Sequence, residues 1–165
     1  MANKKEEPED SETSSSEKKS ANSVLTKQEK LQQAIVLKDE GNAFYKQNDF
    51  KNAMKKYHHA LLFVKGLAVE QPFKHILFYD NGEGEVTEEF KQKAQHTESI
   101  CYNNLAACHI AGSRWPKVVD YCSKVLAYQT NNAKALFRRG QAYMNLNDID
   151  RAREDLIKAH ELEPT

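Results

Sequence analysis

Three cations lie close together in the segment NNAKALFRRGQAY (131–143): Lys134, Arg138 and Arg139. The segment has the composition of a helix, and on a helix Lys134 and Arg138 share one face because they are four residues apart. Like charges at this spacing repel each other by roughly 0.2–0.5 kcal/mol. A face that keeps two cations stacked without an acid is either a solvated surface or a binding site for an anion, which would supply charge-assisted hydrogen bonds.

The overall charge of the chain does not account for this face. The 165 residues include 24 basic and 24 acidic side chains, so the formal net charge is zero. Residues 1–29 hold 5 lysines and 7 acidic residues, which leaves a formal charge of +2 on the rest of the chain. Bulk charge therefore indicates neither nucleic acid nor an acidic membrane surface as a partner, and the positions of the charges matter more than their sum.

The residue types that commonly carry catalysis or bind metals form no familiar pattern. The three cysteines, Cys101, Cys108 and Cys122, include no CxxC pair, and their odd number fits a reduced compartment. A zinc site made of Cys108, His109 and Cys122 is an alternative, although its spacing matches no standard ligand pattern. No phosphate-binding glycine loop and no nucleophile–base pair stands out. We therefore predict no enzyme activity, no cofactor and no metal.

Residues 1–25 form a tail rich in serine and acidic residues, and Met1 is the only strong hydrophobe in its first 23 residues. Such a segment cannot bury enough apolar surface to offset its ordering entropy, so we predict that it is disordered. The chain has no run of 18 apolar residues and no signal-peptide pattern, which predicts a cytoplasmic location.

Helical periodicity dominates the rest of the chain. TKQE (26–29) has the spacing of a capping box and precedes the helical segment LQQAIVLKDEGNAFYKQ. FKNAMKKYHHALLFVKG predicts a second helix that ends near Gly66. From Thr87, TEEFKQKAQHTESICYNNLAAC predicts one long helix with an acidic first turn. The nearest approach to a strand is HILFYD (75–80).

Three segments share one template, namely 37–61, 102–126 and 136–164. Gly41 in the first copy matches Gly140 in the third, and the middle copy has Ala106 at this position, 34 residues before Gly140. A small residue there allows two antiparallel helices to approach closely. A repeat of this period predicts stacked helix pairs.

These spacings resemble those of the tetratricopeptide repeat (TPR) family over about residues 30–165. The resemblance implies an all-α TPR superhelix of three antiparallel helix pairs, with an unusually long first helix in the second repeat. The implied TPR domain spans 26–165, with repeat one at 34–66, an insertion at 67–96, repeat two at 99–132 and repeat three at 133–165.

In a TPR array the first helix of each pair lines a concave groove. The resemblance places the following residues there: Lys38 and Asn42; Asn103, Asn104 and Ala107; Lys134, Phe137, Arg138 and Gln141. This set resembles the carboxylate clamp of co-chaperone TPR domains, which hold the C-terminal Glu-Glu-Val-Asp of the ninety- and seventy-kilodalton heat-shock chaperones.

The resemblance to the clamp also implies a role for each of five residues. Lys38, Asn42 and Asn104 would hold the terminal main-chain carboxylate of the peptide. Lys134 would reach the last Asp side chain or that same carboxylate, and Arg138 would reach a group further upstream. The predicted function is therefore that of a non-enzymatic adaptor, and the opening cations would bind an acidic peptide.

Within the clamp proteins, KYHHALLFVKGL, CYNNLAAC and YCSKVL look most like the tetratricopeptide repeat protein 9 family. NAKALFRRGQAY also resembles the TPR half of large immunophilins, although only 29 residues precede the repeats. Two alternatives stay open: the TPR part of a peptidyl-prolyl isomerase co-chaperone, and a scaffold for another acidic peptide. A seventh, capping helix usually follows repeat three, and without it we predict self-association through repeat three.

Overall fold

The computed structural model describes residues 25–68 and 86–164, and six helices lie within these ranges. They are α1 (Lys27–Lys46), α2 (Phe50–Val64), α3 (Glu88–Ala111), α4 (Trp115–Tyr128), α5 (Ala133–Asn145) and α6 (Ile149–Leu162). Nearly all of the predicted disordered tail, HILFYD and most of the predicted insertion lie outside the described residues. None of the six helices combines the length and the apolar character that a membrane crossing requires.

Local side-chain caps start the helices where the sequence predicts. Thr26 and Glu29 form the capping box at the start of α1, with each side chain accepting a backbone N–H of the other residue. Thr87 accepts the N–H of Phe90 at 3.2 Å and begins the 24-residue α3. Gly66, with φ of +81°, follows the end of α2. The long first helix of the second repeat is therefore confirmed.

The helices pack as three consecutive pairs, α1 with α2, α3 with α4 and α5 with α6. Each pair also contacts the next, through α2 with α3 and α4 with α5. In addition α1 contacts α3 and α3 contacts α5, so the first helices of the pairs form an inner layer. The predicted all-α fold of three helix pairs is thus confirmed, and the inner layer is the one that the repeat pattern assigns to the groove.

Small residues permit the close approach within each pair. A Cβ atom built on Gly41 would lie 2.6 Å from Cε1 of Tyr57, and one built on Gly140 would lie 2.7 Å from Cγ of Leu156. Ala106 of the middle pair is fully buried. The large side chain that faces each glycine occupies the space of the missing Cβ, which explains why the template keeps this position small.

The three cysteines are buried and form no disulfide. Burial raises the pKa of the Cys101 and Cys122 thiols to about 12 and that of the Cys108 thiol to about 11. The thiols are therefore protonated at neutral pH and behave as small apolar core groups. Within 25–68 and 86–164, no group of three or more His, Cys, Asp or Glu side chains could hold a metal ion, so Cys108, His109 and Cys122 form no zinc site.

The outward side of α6 exposes apolar side chains. Ile149 is 52% exposed, Ile157 is 49% exposed and Leu162 is 39% exposed. These residues belong to repeat three, where the sequence predicts self-association. That self-association stays a prediction.

Candidate functional site

A cavity of about 220 Å³ opens between the helices of the inner layer. It receives residues from α1, α3 and α5, together with one side chain from α2. Its lining consists of Asn42, Tyr45, Lys46, Tyr57, Asn104, Ala107 and Arg138. Three of the five residues predicted as a clamp, Asn42, Asn104 and Arg138, therefore meet at one cavity although they lie up to 96 residues apart in the sequence.

Asn42 is held by two neighbours through the same oxygen. The hydroxyl of Tyr57 and the Nδ2 of Asn104 both donate to its Oδ1, each at 2.9 Å. Burial raises the pKa of Tyr57, which keeps its hydroxyl protonated at neutral pH. Because the Oδ1 of Asn42 already accepts two hydrogen bonds, its Nδ2 is the group left to donate to a ligand.

The adjacent arginines, Arg138 and Arg139, have different environments. Nη1 of Arg138 donates to the neutral Oδ1 of Asn103 at 3.1 Å, and the described part of the chain gives Arg138 no ion-pair partner. Arg139 donates from Nε and Nη2 to the carboxylate of Asp155 at 2.7 and 2.8 Å, and to Ser123 at 3.2 Å. The hydrogen bond to Asp155 raises the pKa of Arg139. Arg138 thus faces the cavity as a cation, whereas Arg139 joins α5 to α6 and α4.

The two predicted clamp lysines are not among the residues that line the cavity. Lys38 is one helical turn before Asn42, its side chain is 18% exposed, and its ammonium pairs with Asp39 at 3.0 Å. Lys134 is exposed, one turn before Arg138 on α5. A third lysine, Lys46, does line the cavity and was missed by the sequence analysis. Its spacing of four residues from Asn42 was the signal that could have revealed it.

Apolar side chains border the same face. Phe137 is 57% exposed and Met144 is 51% exposed, and their seven-residue spacing places them on one side of α5. Tyr45 lines the cavity, and its ring packs edge-to-face on Phe50 with centroids 5.4 Å apart. The arrangement combines amide donors, cations and exposed aromatic surface, which suits an acidic peptide with an apolar side chain.

Comparison with known proteins gives three findings. A tetratricopeptide repeat family model matches residues 133–165. Human peptidyl-prolyl cis-trans isomerase FKBP4 is 31% identical over 140 residues, which are 85% of this chain and 27% of that protein. The chain therefore spans about a quarter of the length of the curated relatives that it matches.

Two solved structures are also similar. The C-terminal TPR-containing domain of a Plasmodium falciparum protein described as an FK506-binding protein is 35% identical, with a TM-score of 0.69, and the match covers 86% of this chain and 83% of that one. The first TPR of Spaghetti (RPAP3) bound to HSP90 peptide SRMEEVD is 22% identical, with a TM-score of 0.58 and coverage of 81% and 82%. The second likeness shows the fold alone.

The helix pairs, their period and these matches identify the chain as containing a tetratricopeptide repeat domain. This domain is similar to the repeat-containing half of FKBP4-type immunophilins.

Proposed function

We propose that the chain is a non-enzymatic adaptor whose inner groove binds the acidic C-terminal peptide of a ninety- or seventy-kilodalton heat-shock chaperone. Asn42 and Asn104, with Lys38, would hold the terminal carboxylate. Arg138 would bind an acidic or carbonyl group further upstream in the peptide, and Lys134 would contact the last Asp side chain or the terminal carboxylate.

The meeting of Asn42, Asn104 and Arg138 at one cavity carries this proposal. Two amides can donate hydrogen bonds to a carboxylate without adding charge, and a guanidinium supplies a fixed cation beside them. The described residues pair neither Lys134 nor Arg138 with an acid, so a bound anion would offset their mutual repulsion. The likeness to a TPR solved with an HSP90 peptide adds support from the shared fold.

The test is calorimetric titration of the domain with a peptide that ends in Glu-Glu-Val-Asp. We expect micromolar binding, near about −8 kcal/mol. Amidating the peptide terminus should weaken binding at least about tenfold, because unpaired buried donors cost about 1–3 kcal/mol. Equal affinity for the free and amidated peptides would eliminate the clamp.

Matched variants separate the groove from ordinary surface charge. Arg138→Ala should weaken binding, whereas Lys117→Ala, which removes an exposed cation of α4, should not. Affinity should also fall as salt concentration rises, since the groove gathers like charges. A loss of equal size in both variants would indicate nonspecific attraction.

A second candidate function is favoured by the FKBP4 likeness, namely the TPR part of a peptidyl-prolyl isomerase co-chaperone. An isomerase assay on the native protein purified from its source distinguishes the two proposals. Catalysis of prolyl isomerisation would support this second candidate, and its absence would favour the adaptor. A scaffold for a different acidic peptide would bind that peptide more tightly than Glu-Glu-Val-Asp in the same titration.

The narrower likeness to the tetratricopeptide repeat protein 9 family stays a proposal. It depends on KYHHALLFVKGL, CYNNLAAC and YCSKVL. A cytoplasmic location is likewise proposed, and fluorescence imaging of the tagged native protein would test it.

A further inference from the structure

Asn103 connects the guanidinium of Arg138 to the start of α5. It is 9% exposed, lies on α3 immediately before Asn104, and is not among the residues that line the cavity. Its Oδ1 accepts from Nη1 of Arg138 at 3.1 Å, and its Nδ2 donates to Oδ1 of Asn132 at 3.4 Å. Asn132 is the N-cap of α5. A single amide therefore joins the cation of the groove to the backbone of its own helix.

The direction of these hydrogen bonds is determined by donors at both ends. The guanidinium of Arg138 can only donate, and so can the backbone N–H of Ala135, which donates to Oδ1 of Asn132 at 3.0 Å. Asn132 in turn donates from Nδ2 to Oε1 of Gln129 at 2.8 Å. An amide between two such donors must direct its oxygen toward Arg138 and its nitrogen toward Asn132. Asparagine satisfies both requirements, because it carries one acceptor and one donor group.

We propose that Asn103 is a positioning residue for anion binding, because it holds the Arg138 guanidinium at the groove and leaves its charge unneutralised. The inference rests on the proposed function of the groove and adds to it a residue that does not itself touch the ligand. Holding a long side chain before the ligand arrives reduces the ordering cost of binding.

The neighbouring arginine shows the alternative outcome. Arg139 is held by the Asp155 carboxylate through two hydrogen bonds, and this pairing neutralises its charge. An aspartate at position 103 would do the same to Arg138. The neutral amide therefore matters as much as its hydrogen bond.

The first test does not need a ligand. The order parameter of the Arg138 side-chain ¹⁵Nε, measured by NMR relaxation, should fall in Asn103→Ala and stay unchanged in Asn131→Ala. Asn131 is a matched control because it is an exposed asparagine beside Asn132. The Arg139 signal should not change in either variant. An equally ordered Arg138 in Asn103→Ala would overturn the proposal.

The second test measures affinity for the Glu-Glu-Val-Asp peptide in a double-mutant cycle. Asn103→Ala should weaken binding about fivefold on the wild-type background, but less than about twofold when Arg138 is already alanine. Additive losses would overturn the proposal, since a residue that acts through Arg138 loses its effect once the guanidinium is gone.

Asn103→Asp separates positioning from a structural role and serves also if the alanine variant does not fold. Its shape is nearly that of asparagine, so Arg138 should remain ordered, yet affinity should fall more than about tenfold because the cation becomes paired. Wild-type affinity in a folded Asn103→Asp protein would overturn the proposal. If the wild-type domain does not bind the peptide, the proposed function fails, whereas the NMR comparison still decides whether Asn103 orders Arg138.

Discussion

The ion pair between Arg139 and Asp155 should contribute strongly to stability and not at all to peptide binding. The perturbation is Asp155→Ala, which removes both acceptors of the Arg139 guanidinium and leaves only its bond to Ser123. Because Arg139 faces away from the cavity lining, the variant should keep the peptide affinity of the wild type.

The expected loss follows from the geometry and burial of the pair. Two hydrogen bonds of 2.7 and 2.8 Å join the partners, and the side chains of Arg139 and Asp155 are 22% and 9% exposed. Breaking a buried pair by removing one partner costs about 3–5 kcal/mol. Arg139 keeps some contact with solvent, so we expect Asp155→Ala to lower the free energy of unfolding by about 2–4 kcal/mol.

Urea denaturation followed by circular dichroism measures this loss. Asp120→Ala is the control, because Asp120 pairs with Lys124 at 3.0 Å on the surface, where both side chains are about half exposed. The control should lose less than about 1 kcal/mol. Replacing both Arg139 by Met and Asp155 by Leu should cost less than Asp155→Ala, since no buried charge is then left unpaired. The reasoning is refuted if Asp155→Ala loses no more stability than Asp120→Ala.

Three further predictions concern the core and its polar contacts. Gly140→Ala should lower the free energy of unfolding by about 1–2 kcal/mol, measured by urea denaturation, because its Cβ would lie 2.7 Å from Cγ of Leu156; increased stability would contradict the close-packing argument. Burial lowers the pKa of His109 below 6.5, so the folded protein resists protonation and should lose stability as pH falls below 6.5; His109→Gln should reduce this loss in thermal melts at pH 7 and pH 5, and an unchanged pH dependence would argue against it. Tyr57→Phe should cost about 1 kcal/mol of stability and weaken peptide binding about threefold in calorimetry, because Oδ1 of Asn42 loses a donor; undiminished affinity would count against this positioning of Asn42.

Local sequence features were sufficient to predict the helices and their pairing. The capping box at Thr26 and the cap at Thr87 act on backbone groups only three residues away, so their effect can be read directly from the chain. The small residues at Gly41 and Gly140 recur with the repeat, and the structure confirms that each faces a large side chain of the paired helix. Residue types also predicted that Asn42, Asn104 and Arg138 share one face of the array, and these three do meet at the cavity.

The charge state and orientation of the groove residues were decided only by the tertiary structure. Arg138 and Arg139 are neighbours of the same type, and their difference arises because Asn103 lies 35 residues before one and Asp155 lies 16 residues after the other. Likewise, sequence spacing did not predict that Lys46 would line the cavity. The physical reason is that a helix determines the direction of a side chain, whereas the packing of neighbouring helices determines which acceptor that side chain meets.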